Sequence, residues 1–159
     1  VTIMMTASIK VYNRLKLCNL ITMTILVATV YRFQELATLF DERFKSREKK
    51  ALAGDAVAQY RIGLAYLRGS GVQVNIKVAK EWFRKSSRQG YARATHKLGM
   101  LYYLKKYGMK NNIFAHRLFL RAAKKNHFLS QYYVSLTYLE GIGTSKDLKS
   151  ALRWATKAK

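Results

Sequence analysis

Shifting the sequence by 36 residues returns much of the stretch from Gly54 to Lys159. Gly54 becomes Gly90 and then Asn126, Ala58 becomes Ala94 and Ser130, and Ile62 becomes Leu98 and Val134. Gly63, Gly99 and Ser135 fall together. So do Tyr66, Tyr102 and Tyr138, and Trp82, Leu118 and Trp154. A period of this length is the signature of a solenoid, in which each unit buries its apolar face only against its neighbours. No other property of the chain narrows its architecture as much.

Each unit reads as two helices. Helix A of the first runs from about Asp55 to Arg68, with Ala58, Ile62, Gly63 and Tyr66 on one stripe. Glycine inside a helix costs up to about 1 kcal/mol against alanine, so Gly63 and Gly99 imply a close approach that offsets the cost, and Ser135 is the next smallest choice. Gly69-Ser70-Gly71 and Gly141-Ile142-Gly143 break the chain after helix A. Asn75, Asn111 and Asp147 are helix-capping residue types placed to open helix B. The B stripes are Ala79, Trp82, Phe83 and Ser86; Ala115, Leu118, Phe119 and Ala122; and Ala151, Trp154, Ala155 and Ala158. The second unit has Lys105 and Tyr107 in place of Gly69 and Gly71, and its glycine comes one place later at Gly108. Its turn is expected to be reshaped. The recurring aromatics Tyr66, Tyr102, Tyr138, Trp82 and Trp154 are read as core rather than as a ligand cage. Proline is absent from the whole chain, as suits helices joined by glycine turns.

The first fifty residues differ. Lys10, Arg14 and Lys16 precede an apolar run from Leu17 to Tyr31, the order of a secretory signal or signal anchor. The run is short of the roughly 20 residues that span a bilayer. Ala28-Thr29-Val30 makes a poor cleavage site, so an uncleaved anchor is favoured over a cleaved signal; the alternative is a buried helix packed on the first repeat. A membrane-anchored or exported protein is therefore expected, with a cytoplasmic one as the alternative. From Arg32, Phe33, Leu36, Leu39, Phe40 and Phe44 recur at spacings of three and four, which predicts an amphipathic helix capping the first repeat.

The pattern Ala53-x-Asp55-Ala56-x-Ala58-Gln59, Ile62-Gly63, Tyr66, Gly69-x-Gly71-Val72, Ala79, Trp82-Phe83, Lys85, Gln89-Gly90 resembles the Sel1-like repeat (SLR), a relative of the tetratricopeptide repeat. The expected fold is all-α: an α/α superhelical solenoid of three repeats (54–89, 90–125 and 126–159) behind a capping helix (32–53) and the anchor-like segment (1–31). The resemblance implies a scaffold for protein complexes whose A helices line a concave groove. Outside the packing stripe, the groove positions are Tyr60, Arg61 and Leu64; His96, Lys97 and Met100; and Tyr132, Tyr133 and Leu136. Their aromatic, basic and apolar character suits a protein or peptide carrying acidic and apolar residues.

Thirty Lys and Arg against eight Asp and Glu give a net charge of +22. Helix B carries much of it, on Lys77, Lys80, Arg84, Lys85, Arg88, Arg117, Arg121, Lys124, Lys125, Lys149, Arg153 and Lys157. An alternative function is thus electrostatic binding of an anionic membrane surface or of nucleic acid, the latter disfavoured for want of a base-reading motif. No catalytic constellation is visible. His96, His116 and His127 lack the paired spacing of a zinc helix, and the single cysteine, Cys18, supports no disulfide framework. No enzyme activity, metal or cofactor is expected.

Overall fold

The computed structural model describes residues 22–32 and 42–158. The chain divides into two compact units, 1–43 and 44–159. In the first, residues 22–32 are helical and expose Met23, Ile25, Leu26, Val27, Val30 and Tyr31. No helix among the described residues is long and apolar enough to cross a membrane. The rest of the anchor-like segment and the expected cap positions Phe33, Leu36, Leu39 and Phe40 lie outside the described residues.

The second unit is a helical stack. Helical residues 42–52 (α1, with Phe44 onward in this unit) lead into α2 (Ala56–Arg68), α3 (Ile76–Arg88), α4 (Ala92–Tyr103), α5 (Asn112–Ala123), α6 (Phe128–Glu140) and α7 (Leu148–Lys157). Each of α2 to α7 packs on its sequence neighbour, giving three A–B pairs. The sequence signals set the boundaries. Asp55 Oδ1 accepts from Val57 N at 2.7 Å and Ala58 N at 2.8 Å, opening α2. The side chains of Asn75, Asn111 and Asp147 accept from Val78 N, Phe114 N and Ser150 N, opening the three B helices. Their own amides donate to the carbonyls of Tyr66, Tyr102 and Tyr138 at 2.8, 2.8 and 2.9 Å, so all three turns close on one bond. The second turn is reshaped as expected, by a 3-10 turn at Lys105–Tyr107 ending on Gly108.

The aromatic core needs correction. Among the described residues, the fully buried aromatic rings are Phe83 and Phe119. Tyr66, Tyr102, Tyr138, Trp82 and Trp154 are half-buried, packed on the margins of the core clusters. Trp82 and Phe83 are adjacent, and only Phe83 meets the glycine of the facing helix. A Cβ at Gly63 would lie 2.7 Å from Phe83 Cε1, and one at Gly99 would lie 2.7 Å from Phe119 Cε1. The third unit places Ala155 where the others have phenylalanine. With no ring to receive, its A helix tolerates Ser135.

Side chains that donate to backbone carbonyls at equivalent positions tie each unit to the end of the helix that precedes it. Gln59 Nε2 donates to Ala51 O at 3.1 Å, and Gln131 Nε2 to Ala123 O at 3.3 Å. Gln89 Nε2 donates to Gly54 O at 2.8 Å, and Lys125 Nζ to Gly90 O at 2.9 Å. Ala51 thus receives the bond that Ala123, at the end of the B helix α5, receives two junctions later. Phe44 likewise meets Tyr66 edge-on at 6.0 Å, as His116 on α5 meets Tyr138 at 4.9 Å. Residues 44–52 occupy the place of a preceding B helix.

Gly143 ties the last turn to α5. It has φ +74°, and a Cβ there would run into the Asn112 carbonyl and lie 2.8 Å from Ile113 N. Gly143→Ala should cost roughly 3 kcal/mol, from backbone strain and overpacking together. Gly108→Ala should cost only about 1 kcal/mol, since φ there is +70° but nothing lies within 4 Å of a Cβ. Urea denaturation of the pair measures the difference; equal losses would mean that the turn does not rest on α5.

Candidate interaction face

The nine expected groove residues occupy three equivalent positions on α2, α4 and α6, and their environments differ. Tyr60 is half-buried, 5.9 Å from the Phe83 ring and 5.3 Å from Tyr91. Burial raises its hydroxyl pKa above the usual tyrosine value, with Tyr91 adding to the effect. Its equivalent His96 is only 4% exposed and is not a groove residue. It lies 5.5 Å from the Phe119 ring, 4.8 Å from His127 and 5.6 Å from Tyr133, sealed in the junction between the second and third repeats. Tyr132, the third equivalent, is 50% exposed. The ring that would shelter it is replaced by Ala155.

Arg61 is exposed, whereas Lys97 and Tyr133 are half-buried. Burial, and then Arg68, pushes the Lys97 ammonium below its ordinary value. Tyr133 stacks on Phe119 at 5.0 Å and meets Tyr132 edge-on at 5.7 Å. Leu64, Met100 and Leu136 are half-buried. The periodic reading missed Tyr103, which meets Tyr133 edge-on at 5.7 Å. Its hydroxyl is pushed upward by burial first and then by Glu140, Tyr133 and Tyr132. The signal was present: Leu67, Tyr103 and Leu139 continue the same stripe seven residues after Tyr60, His96 and Tyr132. The resulting surface is a tyrosine cluster of Tyr103, Tyr132 and Tyr133 beside Leu136 and Leu139. Lys97 stands on α4 with Tyr103, and Arg61 and Arg68 stand on the preceding A helix, α2.

The histidines form a second cluster. Ser130 Oγ lies 2.9 Å from His96 Nδ1 and 3.0 Å from His127 Nδ1, while Ser130 N donates to His127 Nδ1 at 3.3 Å and so caps α6. Burial pushes His96 down to about 3, with His127 and Lys97 adding to the shift. Burial also lowers His116 and His127. Among the described residues, no three His, Cys, Asp or Glu side chains gather as a metal site.

Residues 56–91, 92–127 and 129–159 match the Sel1 repeat. The chain belongs to the Sel1-repeat family. Its fold is similar to an SLR-fold protective antigen of uropathogenic Escherichia coli, with a TM-score of 0.72 and 25% identity over 75% of this chain and 26% of that one. It is also similar to a Sel1 repeat protein from Oxalobacter formigenes, with a TM-score of 0.69 and 32% identity over 74% and 48% of the two chains. Among curated relatives, a component of the ERAD-associated E3 ubiquitin-protein ligase of Arabidopsis thaliana is 34% identical over 114 residues, covering 70% of this chain and 18% of the relative. A putative sel1-like repeat-containing protein of Acanthamoeba polyphaga mimivirus is 33% identical over 87 residues, or 54% and 15%. The chain thus spans less than a fifth of either curated relative's length. Within the Sel1 repeats, Gly63, Gly99 and the capping residues serve the stack, and the A-helix positions that differ between units differ in burial too, from the sealed His96 to the half-exposed Tyr132.

Proposed function

We propose that this Sel1-repeat protein is a non-enzymatic protein-interaction scaffold that receives an acidic and apolar peptide segment on its A-helix face. The observation that carries this reading is the tyrosine cluster of Tyr103, Tyr132 and Tyr133, with Tyr132 half exposed beside the exposed Leu139. Tyrosine presents a large, rigid contact area with a polar tip, and it is enriched where interfaces gain most of their energy. Arg61 and Arg68 on α2 and Lys97 on α4 add positive charge to the A helices and favour a carboxylate-bearing partner. Family membership supports the general role, since Sel1-repeat proteins serve as protein-interaction scaffolds. Residues 44–52, standing where a B helix would stand, act in this reading as the cap of the stack.

The experiment is selection of binders from a displayed peptide library, followed by affinity measurement on the full chain. Tyr132→Ala should weaken a selected peptide at least tenfold, which is about 1.4 kcal/mol. It should leave the melting temperature unchanged, because the ring is exposed. Tyr133→Ala is the less informative variant, since that ring also stacks on Phe119. Binding should persist at moderate salt. Undiminished affinity in Tyr132→Ala, or binding lost in salt alone, would place recognition elsewhere.

A further inference from the structure

The opposite face carries a different chemistry. Between α3 and α5, the B helices of the first two repeats, lies a recess of about 330 Å³. Four guanidinium groups line it: Arg84 and Arg88 from α3, and Arg117 and Arg121 from α5. Each pair is spaced i, i+4, so each stands on one helical face. The two faces meet across the junction because the repeats stack B helix beside B helix.

The recess is organised from below. Arg121 Nη2 donates to Ser87 Oγ. Ser87 is buried and shares a hydrogen bond of 2.8 Å with Thr95 Oγ1. This chain fixes one guanidinium against the floor. Arg84 has an exposed partner on its own helix, Glu81 at 3.4 Å. Among the described residues, Arg88 and Arg117 have no carboxylate partner. Four cations therefore converge on a recess that contains no acid. Like charges so placed repel, and a multivalent anion relieves that repulsion.

The same geometry returns one repeat later. Arg88, Arg117 and Arg121 map to Lys124, Arg153 and Lys157. These line a recess of about 270 Å³ between α5 and α7. Three basic positions thus recur at both junctions, while the first junction adds Arg84 and holds arginine at all four places. Guanidinium differs from ammonium in offering a planar fork that binds phosphate oxygens in pairs. Two facing arginine pairs exceed what one carboxylate can satisfy, and they match two phosphate groups. Phe114 and Leu118 give the recess an apolar wall against which a ring can lie.

We infer that the α3–α5 recess binds a ligand carrying two or more phosphomonoester groups on a compact ring, either as a free phosphate ester or as an exposed lipid headgroup. This site is separate from the peptide-binding face, and neither proposal depends on the other.

The test uses the full chain and calorimetric titration with a soluble inositol bisphosphate. In parallel, the chain is sedimented with phosphatidylcholine vesicles containing a bisphosphorylated phosphoinositide. Vesicles of equal surface charge made with phosphatidylserine are the comparison. Arg88→Gln/Arg117→Gln should weaken the phosphorylated probes at least tenfold, whereas Lys110→Gln/Lys146→Gln, with the same change in net charge, should leave them within about twofold. These positions are exposed, so neither variant should unfold the stack. Binding of the soluble probe, with displacement of vesicles by it, identifies a free ester. Binding to phosphoinositide vesicles alone identifies a headgroup. Equal weakening in the two variants, equal affinity for phosphatidylserine vesicles, or binding only to an oligonucleotide added as competitor would overturn the proposal.

Discussion

Replacing Phe119 with alanine should lower the unfolding free energy by about 3–5 kcal/mol, the range for truncating a fully buried phenylalanine. The ring is fully enclosed. It belongs to a cluster with Ala115, Ala123 and Val134, and it lies within 6 Å of the rings of His96, Tyr103 and Tyr133. It therefore joins α4 and α5 of one repeat to α6 of the next. A small domain holds only about 5–15 kcal/mol in total, so one substitution removes a large share. Gly99→Ala presses a methyl group into the same ring and should cost about 1–3 kcal/mol. The two losses should not add, because truncating the ring removes what the methyl group strikes. Urea midpoints of the two single variants and the double variant measure the coupling. A loss below about 1 kcal/mol for Phe119→Ala, far under the range for buried rings, would show that the ring does not hold the junction.

Acidification from pH 7 to pH 5 should destabilise the stack by about 2 kcal/mol through His96 alone. In the unfolded chain histidine titrates near 6.5; in the folded protein burial, followed by His127 and Lys97, holds His96 at about 3. Between those values the unfolded state binds a proton that the folded state refuses. The contribution is complete above about pH 6.5 and is lost as pH falls toward 3, at about 1.4 kcal/mol per pH unit. His116 and His127 are shifted the same way and steepen the loss. The neighbourhood offers no relief: His127, Lys97 and, beside His127, Arg93 are all bases. Protonating His127 also removes the Nδ1 acceptor that caps α6. Asp147 enters only at lower pH, where its capping bonds to Ser150 hold its carboxyl below the ordinary value. Melting temperatures between pH 8 and pH 5 check this, and His96→Gln should flatten the profile by about one proton. A slope unchanged in that variant would mean that His96 is not the group responsible.

The helical pairs were legible because their limits are local. Asn75, Asn111 and Asp147 bond to amides three residues away, so the sequence around each one determines the cap. The close approach at Gly63 and Gly99 was legible too, as a helical glycine that recurs. What it approached was not. Trp82 and Phe83 both follow Ala79 on one stripe, and a one-dimensional pattern does not say which ring points at the facing helix. The face was harder still. Tyr60, His96 and Tyr132 are one position in the period, yet their burial is set by rings at positions 83, 119 and 155 and by the following repeat. His96 is enclosed because Phe119 and Tyr133 reach it from two elements. Tyr132 stands free because Ala155 does not. The α3–α5 recess was hidden for the same reason: Arg84, Arg88, Arg117 and Arg121 read as part of a broad basic face on the B helices, and only the stacking of two repeats makes them line one recess.

The bonds from Gln59, Gln89, Lys125 and Gln131 to main-chain carbonyls have a consequence for how such an array can change. Every amino acid brings the acceptor half of the joint, whatever its side chain. The donor half accommodates an amide at one junction and an ammonium at the next. Whole units can therefore be copied, lost or diverge in character while the spacing between neighbours stays constant. The angular relation of one face to the next is inherited from the main chain, and each exposed surface is left free to acquire its own ligand.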